Sequence, residues 1–228
     1  MARISVAWSN LMHERTRLMV AIAGVAFAVI LIFMNLGFMG ALISTATNFY
    51  EQFNAELFLI SPETLEISTS TAFPRERLYQ VAGVEGVERI MPLYSEYLLW
   101  RNPETGVSRA SFVYGIAPNA PAFLMPELQG DEARRILSRP DTVFIDRFSR
   151  PEFGPQEVGT TTEADRRRIT VGGTYALGGG FAADGTLIMS DQNFVRYLDP
   201  RPLSLVNVGL VKLQPGVSPE KVAAAIAS

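Results

Sequence analysis

The feature that most constrains this chain is an uncharged apolar run near its N-terminus. From Leu18 to Tyr50 there is no charged residue, and its first part, Leu18 to Met34, contains no polar side chain. As an α-helix, residues 18–43 would extend about 39 Å, which exceeds the roughly 30 Å hydrocarbon core of a bilayer. We therefore predict a transmembrane helix over 18–43. A cleaved signal peptide and a buried core helix are the alternatives, although both usually have shorter apolar segments.

Charges on the two sides of this run predict its orientation. Arginines outnumber acidic residues before it, whereas the first charged residues after it are all acidic: Glu51, Glu56, Glu63 and Glu66. The positive-inside rule places residues 1–17 in the cytoplasm and the bulk of the chain outside. Residues 1–17 read as an amphipathic segment with Trp8 at headgroup level. The single histidine, His13, is expected there as an interfacial residue rather than a catalyst.

Composition excludes most enzymatic chemistry. The chain has no cysteine, which removes disulfides, thiol nucleophiles and Cys-based metal sites, and its single histidine removes zinc sites that need two. A net charge of −3 gives no overall attraction to nucleic acid. We assign no catalytic, cofactor-binding or metal-binding residue, expect no cofactor, and predict that the chain is not an enzyme.

The outer region is predicted to be α+β. The expected strands are 56–61, 87–100 with an interruption at Pro92, 108–116, 141–146, 167–178, 185–190 and 203–213. The expected helices are one that begins at Pro74 and ends at Gly83, one at 131–137, one at 191–198, and a last one with Ser218 as its cap and Pro219 at its first position. Residues 150–165 are expected to form a polar loop. Strand 56–61 is expected to pair with strand 203–213.

Two glycine-rich stretches are the nearest approach to a nucleotide-binding motif. Gly172-Gly173 and Gly178 to Gly180 lack both the dinucleotide-binding spacing and the Lys of a phosphate loop. A bulge and a turn between strands are the better interpretation, and Asp184-Gly185 reads as a hairpin turn.

Two groups of charged residues are candidate sites. The run Arg166 to Arg168 is expected to be a solvated strand edge, with contact to an acidic partner as the alternative. The acidic pairs Glu127 with Asp131 and Asp141 with Asp146 could in principle serve a glycosidase, but nothing in the sequence places them across a cleft.

Several sequence blocks resemble a known family of membrane proteins. The opening VAWSNLMHERTRLMVAIAGVAFAVILIF resembles the MacB/FtsX class of ABC transporter permeases. The blocks NLGFMGAL, YEQFNAELFLISP, FPRERLYQ, GVERIMPLY, DTVFIDRFSRPEFGP and GGGFAADGTLIMSDQNFVRYL are similar to its DevC subgroup.

The resemblance implies a permease with a MacB-like periplasmic core domain at 44–228. It implies a porter-like part at 56–116 and 203–228, built from split βαβ units, and an inserted β-rich lobe at about 117–200. It also implies that the chain stops before further transmembrane helices, as the front part of a longer polypeptide would. The alternatives are a signal-anchored binding or scaffold domain and a secreted enzyme with a cleaved leader.

The resemblance also implies partners. These are a separate ABC ATP-binding subunit that performs ATP hydrolysis, a periplasmic membrane-fusion adaptor, an outer-membrane channel, a second permease copy in a homodimer, and membrane lipids of the inner membrane.

Overall fold

The structure is a computed structural model that describes residues 15–64, 70–178, 185–198 and 202–227, and it divides into two compact units, 1–47 and 48–228. Helix α1 (Arg15–Glu51) has 37 residues and extends beyond both ends of the predicted span. Its described apolar side chains are mostly exposed, and residues 15–42 are long and apolar enough to cross a membrane. The amphipathic interpretation of Trp8 and His13 concerns residues outside the described part.

The outer unit mixes strands and short helices, which confirms the predicted α+β class. Its strands are β1 (Leu57–Ile60), β2 (Phe73–Pro74), β3 (Val87–Arg101), β4 (Ser108–Ile116), β5 (Thr142–Asp146), β6 (Thr161–Ala164), β7 (Arg167–Tyr175), β8 (Thr186–Ser190), β9 (Leu205–Val206) and β10 (Val208–Leu213). Its helices are α2 (Glu76–Ala82), α3 (Gly130–Leu137), α4 (Asp191–Tyr197) and α5 (Pro219–Ala227). Short 3-10 turns occur at Pro126–Leu128 and Pro151–Phe153.

The main sheet has two parts that share the long strand β3. Its order is β1-β10-β3-β4-β8-β5-β7-β6, and β6 also pairs with β3 through Trp100 and Ala164. The second half of β3 therefore begins and ends a closed ring of strands, while the first half pairs with β10. Closure removes the free edges that an open sheet would expose.

The three-stranded part is antiparallel and contains the pairing that the sequence predicted. Leu57 of β1 lies opposite Val211 of β10, and β10 in turn pairs with β3. Helices α2 and α5 contribute Val81 and Val222 to a core cluster with Val211 and with the partly buried Leu57. Strand alternation thus directs one face of this part onto the two helices.

Prolines behave differently from the prediction at two positions. Pro92 does not interrupt β3. It lies opposite Gly209 of β10, and on its other side the pairing of β3 with β4 has not yet begun, so that edge of β3 has no hydrogen-bonding neighbour there.

Pro74 does not begin a helix but pairs with Leu205 in the small sheet of β2 and β9. Helix α2 begins at Glu76 because the ladder is continued by Arg75, whose N–H donates to the carbonyl oxygen of Ser204 at 2.7 Å.

The strand predicted over 203–213 is divided at Asn207, which separates β9 from β10. The Asn207 side chain is buried, accepts the Ser95 N–H at 3.0 Å, and donates to the Ser70 carbonyl oxygen at 3.2 Å. These hydrogen bonds satisfy the buried side-chain amide, which would otherwise carry a desolvation cost.

Gly172 is the extra residue of a β-bulge, as the sequence interpretation proposed. The register of β5 on β7 passes from Val143 opposite Val171 to Phe144 opposite Gly173, so Gly172 has no counterpart. A Cβ at Gly173 would lie 2.2 Å from the Phe144 ring, which explains why glycine stands there.

The predicted Asp184-Gly185 hairpin is not tested at Asp184, which lies outside the described residues. After Gly185, β8 pairs with β4 and β5 rather than with β7.

The region predicted as a polar loop, 150–165, contains strand β6, which pairs with β7 through a tight turn. Ala164 lies opposite Arg167, so Asp165 and Arg166 form a two-residue loop with φ of 44° and 67°. Such a hairpin requires positive φ at both positions, where glycine is the residue usually preferred. The Asp165 carboxylate accepts the Leu99 N–H at 3.2 Å, which holds the turn against β3.

We expect Arg166→Gly to stabilise the outer unit by about 0.5–1 kcal/mol. A non-glycine residue in the left-handed region costs about 1–2 kcal/mol, and part of this gain is offset by the greater freedom of glycine in the unfolded chain. Urea unfolding of the two proteins measures the difference. Arg167→Gly is the matched control, because it lies in β7, where glycine should destabilise; stabilisation by both variants would contradict the strain interpretation.

Candidate functional site

The end of α1 is packed among aromatic residues of the outer unit. Phe53, just after the helix, is only 3% exposed and stacks on Phe123 with ring centroids 5.0 Å apart. Its ring also makes edge contacts with Phe58 at 5.8 Å and Tyr114 at 6.3 Å, and Tyr50 contacts Phe58 at 5.7 Å. Aromatic pairs in such geometry stabilise a fold by more than their buried area alone would give. Burial also raises the pKa of the Tyr114 phenol well above its usual value.

Backbone hydrogen bonds fasten the same point to segment 120–124. The Leu124 N–H donates to the Gln52 carbonyl oxygen at 2.7 Å, and the Asn54 N–H donates to the Ala122 carbonyl oxygen at 2.9 Å. The Asn54 side-chain amide donates to the Pro121 carbonyl oxygen at 3.1 Å. We call residues 50–54 and 120–124, with Phe58 and Tyr114, the helix joint.

The sequence predicts one half of the helix joint and not the other. Residues 47–54 predict an outward continuation of the membrane helix with Phe49, Tyr50 and Phe53 as its apolar side, and α1 does continue to Glu51. Residues 117–140 are rich in proline, which predicts irregular structure around segment 120–124. Phe123, an aromatic residue between proline positions, was the signal available for a buried contact there.

Just beyond the helix joint, Glu56 ties the start of β1 to the end of β10. Its carboxylate accepts from Lys212 Nζ at 2.6 Å and from the Leu213 N–H at 2.8 Å. Partial burial acts to raise the pKa of Glu56, but the hydrogen bonds from Lys212 and Leu213 and the charge of Lys212 outweigh it, so the pKa lies below its ordinary value.

We expect Glu56→Gln to destabilise the outer unit by less than about 1 kcal/mol at neutral pH, since the pair is partly exposed. The lowered pKa means that the wild-type contribution is complete above the ordinary glutamate value of about 4.3 and is lost as pH falls through the folded-state value. Urea unfolding across this pH range checks it. The two proteins should converge in acid, and a difference that persists below both pKa values would contradict the assignment.

The carboxylates of the two acidic pairs, Glu127 with Asp131 and Asp141 with Asp146, have other partners in the structure. Three of these carboxylates pair with arginines: Glu127 with Arg147 at 3.2 Å, Asp131 with Arg134 at 3.4 Å, and Asp141 with Arg196 at 3.2 Å.

Asp146, the fourth of these carboxylates, is buried and accepts backbone N–H groups. Its donors are Phe148 at 3.1 Å, Leu177 at 3.1 Å and Gly178 at 2.8 Å. Asp146 thus orders two loops. These hydrogen bonds satisfy the buried carboxylate and hold the backbone of both loops in place.

One further buried carboxylate lies at the start of α4. Burial raises the pKa of Asp191, while the Gln192 N–H and the nearby Arg75 act in the opposite direction. Within the described residues, no group of three His, Cys, Asp or Glu side chains is placed to hold a metal ion.

A family profile identifies the family of this chain. The profile of the family described as MacB-like periplasmic core domain matches residues 18–228. No curated protein matches the sequence. Among solved structures, the extracellular domain of the ABC-type transporter YknZ from Gram-positive bacteria is 13% identical with a TM-score of 0.49, covering 73% of this chain and 86% of that one. The periplasmic region of MacB from Actinobacillus actinomycetemcomitans is 13% identical with a TM-score of 0.49, covering 74% and 79%.

Proposed function

This chain belongs to the family of MacB-like periplasmic core domains of ABC-type transporter permeases, and from that membership we propose that it couples a separate ATPase to an extracytoplasmic adaptor and an outer-membrane channel during export. Members of the family are permease domains and not themselves enzymes. The chain would therefore transmit motion, with ATP hydrolysis in a partner subunit. Assignment to the DevC subgroup stays a prediction.

The helix joint is the observation that carries this proposal. The last turn of α1 leads directly into Phe53, whose buried ring packs on Phe123 and on Tyr114 of the ring strand β4. The neighbouring residues Gln52 and Asn54 form the backbone hydrogen bonds to segment 120–124. A displacement of the helix end cannot occur without moving these contacts, because packed interiors transmit strain instead of absorbing it. A helix that only anchored the outer unit to the membrane would not need a buried aromatic contact at its end.

The two parts of the sheet receive separate roles in the proposal. The three-stranded part with α2 and α5 is the porter-like part, and the closed ring is the inserted lobe, which then includes β4 and begins within β3 rather than near residue 117. Both would contact the adaptor in a homodimer. The N-terminus would lie in the cytoplasm near the ATPase, and α1 would contact the lipids of the inner membrane.

The test inserts a flexible Gly-Ser pair between Gln52 and Phe53. The gene product carrying this chain is reconstituted in proteoliposomes with its ATPase and adaptor, and ATP hydrolysis and substrate export are measured together. We expect hydrolysis to continue and export to be lost. The same insertion between Thr105 and Gly106, in the exposed β3–β4 loop, is the matched control and should preserve both. Undiminished export with the insertion at residue 52 would refute coupling through the helix joint.

Orientation is tested separately by single cysteines at Ser5 and Arg150, since the chain has no natural cysteine. A membrane-impermeant thiol reagent applied from outside should label position 150 and not position 5. The reverse pattern would refute a cytoplasmic N-terminus.

A further inference from the structure

Aromatic contacts continue from the helix joint along one face of strand β4. Tyr114 makes an edge contact with Phe112, two residues earlier on the same face of the strand, with ring centroids 4.9 Å apart. Phe112 in turn makes an edge contact with Tyr97, its register partner on β3, also at 4.9 Å. With the contact between Phe53 and Tyr114 at 6.3 Å, these rings form an unbroken series. We call Phe53, Tyr114, Phe112 and Tyr97 the aromatic row.

The aromatic row leads from the interior of the outer unit to its surface. Phe53, Tyr114 and Phe112 are buried, whereas Tyr97 is 37% exposed. Leu99, two residues further along β3 and on the same face, is more exposed still. The row therefore connects the residue that follows the end of α1 with a side chain on the ring that other molecules can reach.

The two faces of these strands belong to different core clusters. Phe53, Tyr114 and Phe112 lie in one cluster, while Val113 of β4 and Leu98 of β3 lie in the other. Side chains that alternate along a strand point to opposite faces. A change in the position of Phe53 is therefore received first by the other members of the aromatic row and not by the cluster on the opposite face.

The hydroxyl groups of neighbouring tyrosines also interact around Tyr114. Burial raises the pKa of Tyr114, and the phenols of Tyr175, Tyr50 and Tyr97 act in the same direction. Tyr50 lies in the last turn of α1 and Tyr97 at the exposed end of the aromatic row. These interactions involve the polar ends of the side chains, so they add to the ring contacts that join the same part of the molecule.

We propose that the aromatic row is a relay, in which a displacement of Phe53 at the helix joint changes the position of the Tyr97 side chain at the surface of the ring. Close-packed side chains cannot shift singly without leaving a void or overlapping a neighbour. Edge contacts between rings have preferred geometries, so a shift of one ring changes the favoured position of the next. Coupling between distant sites is carried by such continuous chains of packed side chains. This inference rests on the proposed function, because the motion to be relayed is that of the helix end.

The test uses the full chain in lipid nanodiscs and fluorine NMR, with trifluoromethyl-phenylalanine in place of Tyr97 as the single probe. Phe53→Leu keeps an apolar side chain but removes the ring contact with Tyr114. We expect the resonance of the probe at position 97 to shift by more than its line width. The same probe in place of Tyr79, an exposed tyrosine on α2, should not shift. Phe123→Leu disturbs the Phe53 ring through its stacking partner and replaces Phe53→Leu if that variant does not fold.

The route is tested by breaking the aromatic row at its middle. In a Phe112→Leu background, adding Phe53→Leu should leave the probe at position 97 unchanged within its line width. Phe153→Leu is the matched control, since Phe153 is a buried phenylalanine of the other core cluster, and it should not move the probe. A probe that is silent to Phe53→Leu and to Phe123→Leu would overturn the relay. A response that persists through Phe112→Leu, or an equal response to Phe153→Leu, would overturn it as well.

The Gly-Ser insertion between Gln52 and Phe53 separates this inference from the proposed function. We expect the insertion to abolish export and to shift the probe at position 97. Loss of export with a silent probe would overturn the relay and leave coupling through the helix joint standing. Undiminished export with a shifted probe would overturn that coupling and leave the physical connection between Phe53 and Tyr97 standing.

Discussion

Replacement of Phe53 by alanine should lower the free energy of unfolding of the outer unit by about 3–5 kcal/mol, the range found when a buried phenylalanine is truncated. Phe53 is almost fully buried and contacts the rings of Phe58, Tyr114 and Phe123, so its removal leaves a cavity that the helix joint cannot readily fill. Urea unfolding followed by circular dichroism measures the loss. Hydrogen exchange of the Leu124 and Asn54 amides should accelerate, because their hydrogen bonds join segment 120–124 to Gln52 and Asn54, the two residues next to Phe53 in the chain.

Phe148→Ala is the control for this change. Phe148 is the same residue type but is 61% exposed, and its truncation should alter stability by no more than about 0.5 kcal/mol. Similar losses in both variants, or unchanged exchange at Leu124 and Asn54, would contradict the account of the helix joint as a packed connection.

Replacement of Trp100 by alanine should have an effect of similar size, about 3–5 kcal/mol, and should act on ring closure. Trp100 is fully buried, lies opposite Ala164 where β3 meets β6, and its indole N–H donates to the Phe153 carbonyl oxygen at 3.0 Å. Both the packing and the hydrogen bond are lost in the alanine variant. Amide exchange in β6 should accelerate more than exchange in β1, which belongs to the three-stranded part.

Two further variants separate the loss of packing at Trp100 from the loss of its hydrogen bond. Trp100→Phe keeps most of the apolar volume but leaves the Phe153 carbonyl oxygen without its donor, so about 1–3 kcal/mol should be lost. Leu99→Ala changes the next residue of the same strand, whose side chain faces solvent, and should cost less than about 1 kcal/mol. An alanine effect at Trp100 no larger than that at Leu99 would show that closure at this pair contributes little.

Many of the strands and helices could be predicted from short stretches of the sequence. Strand β4 was predicted with its observed bounds, and α3, α4 and the bulge at Gly172 were also expected, because alternation, helix periodicity and paired glycines are short-range signals. The predictions at two prolines were wrong. Pro92 was expected to interrupt a strand and Pro74 to begin a helix, but each lies within a strand. Proline is tolerated in a strand where the neighbouring strands require no backbone N–H from it, and the local sequence does not show which positions these are.

The apolar run by itself determined a long N-terminal helix. A long run of uncharged apolar residues can be buried in a bilayer, and as a helix it makes its backbone hydrogen bonds within the segment. Tertiary structure alone decided where Phe53 is buried and where the ring closes. These features join Phe53 to Phe123 and Trp100 to Ala164, and each pair is separated by dozens of intervening residues. Local periodicity carries no information about such pairs, because their free energy comes from contacts that exist only once the chain has folded back on itself.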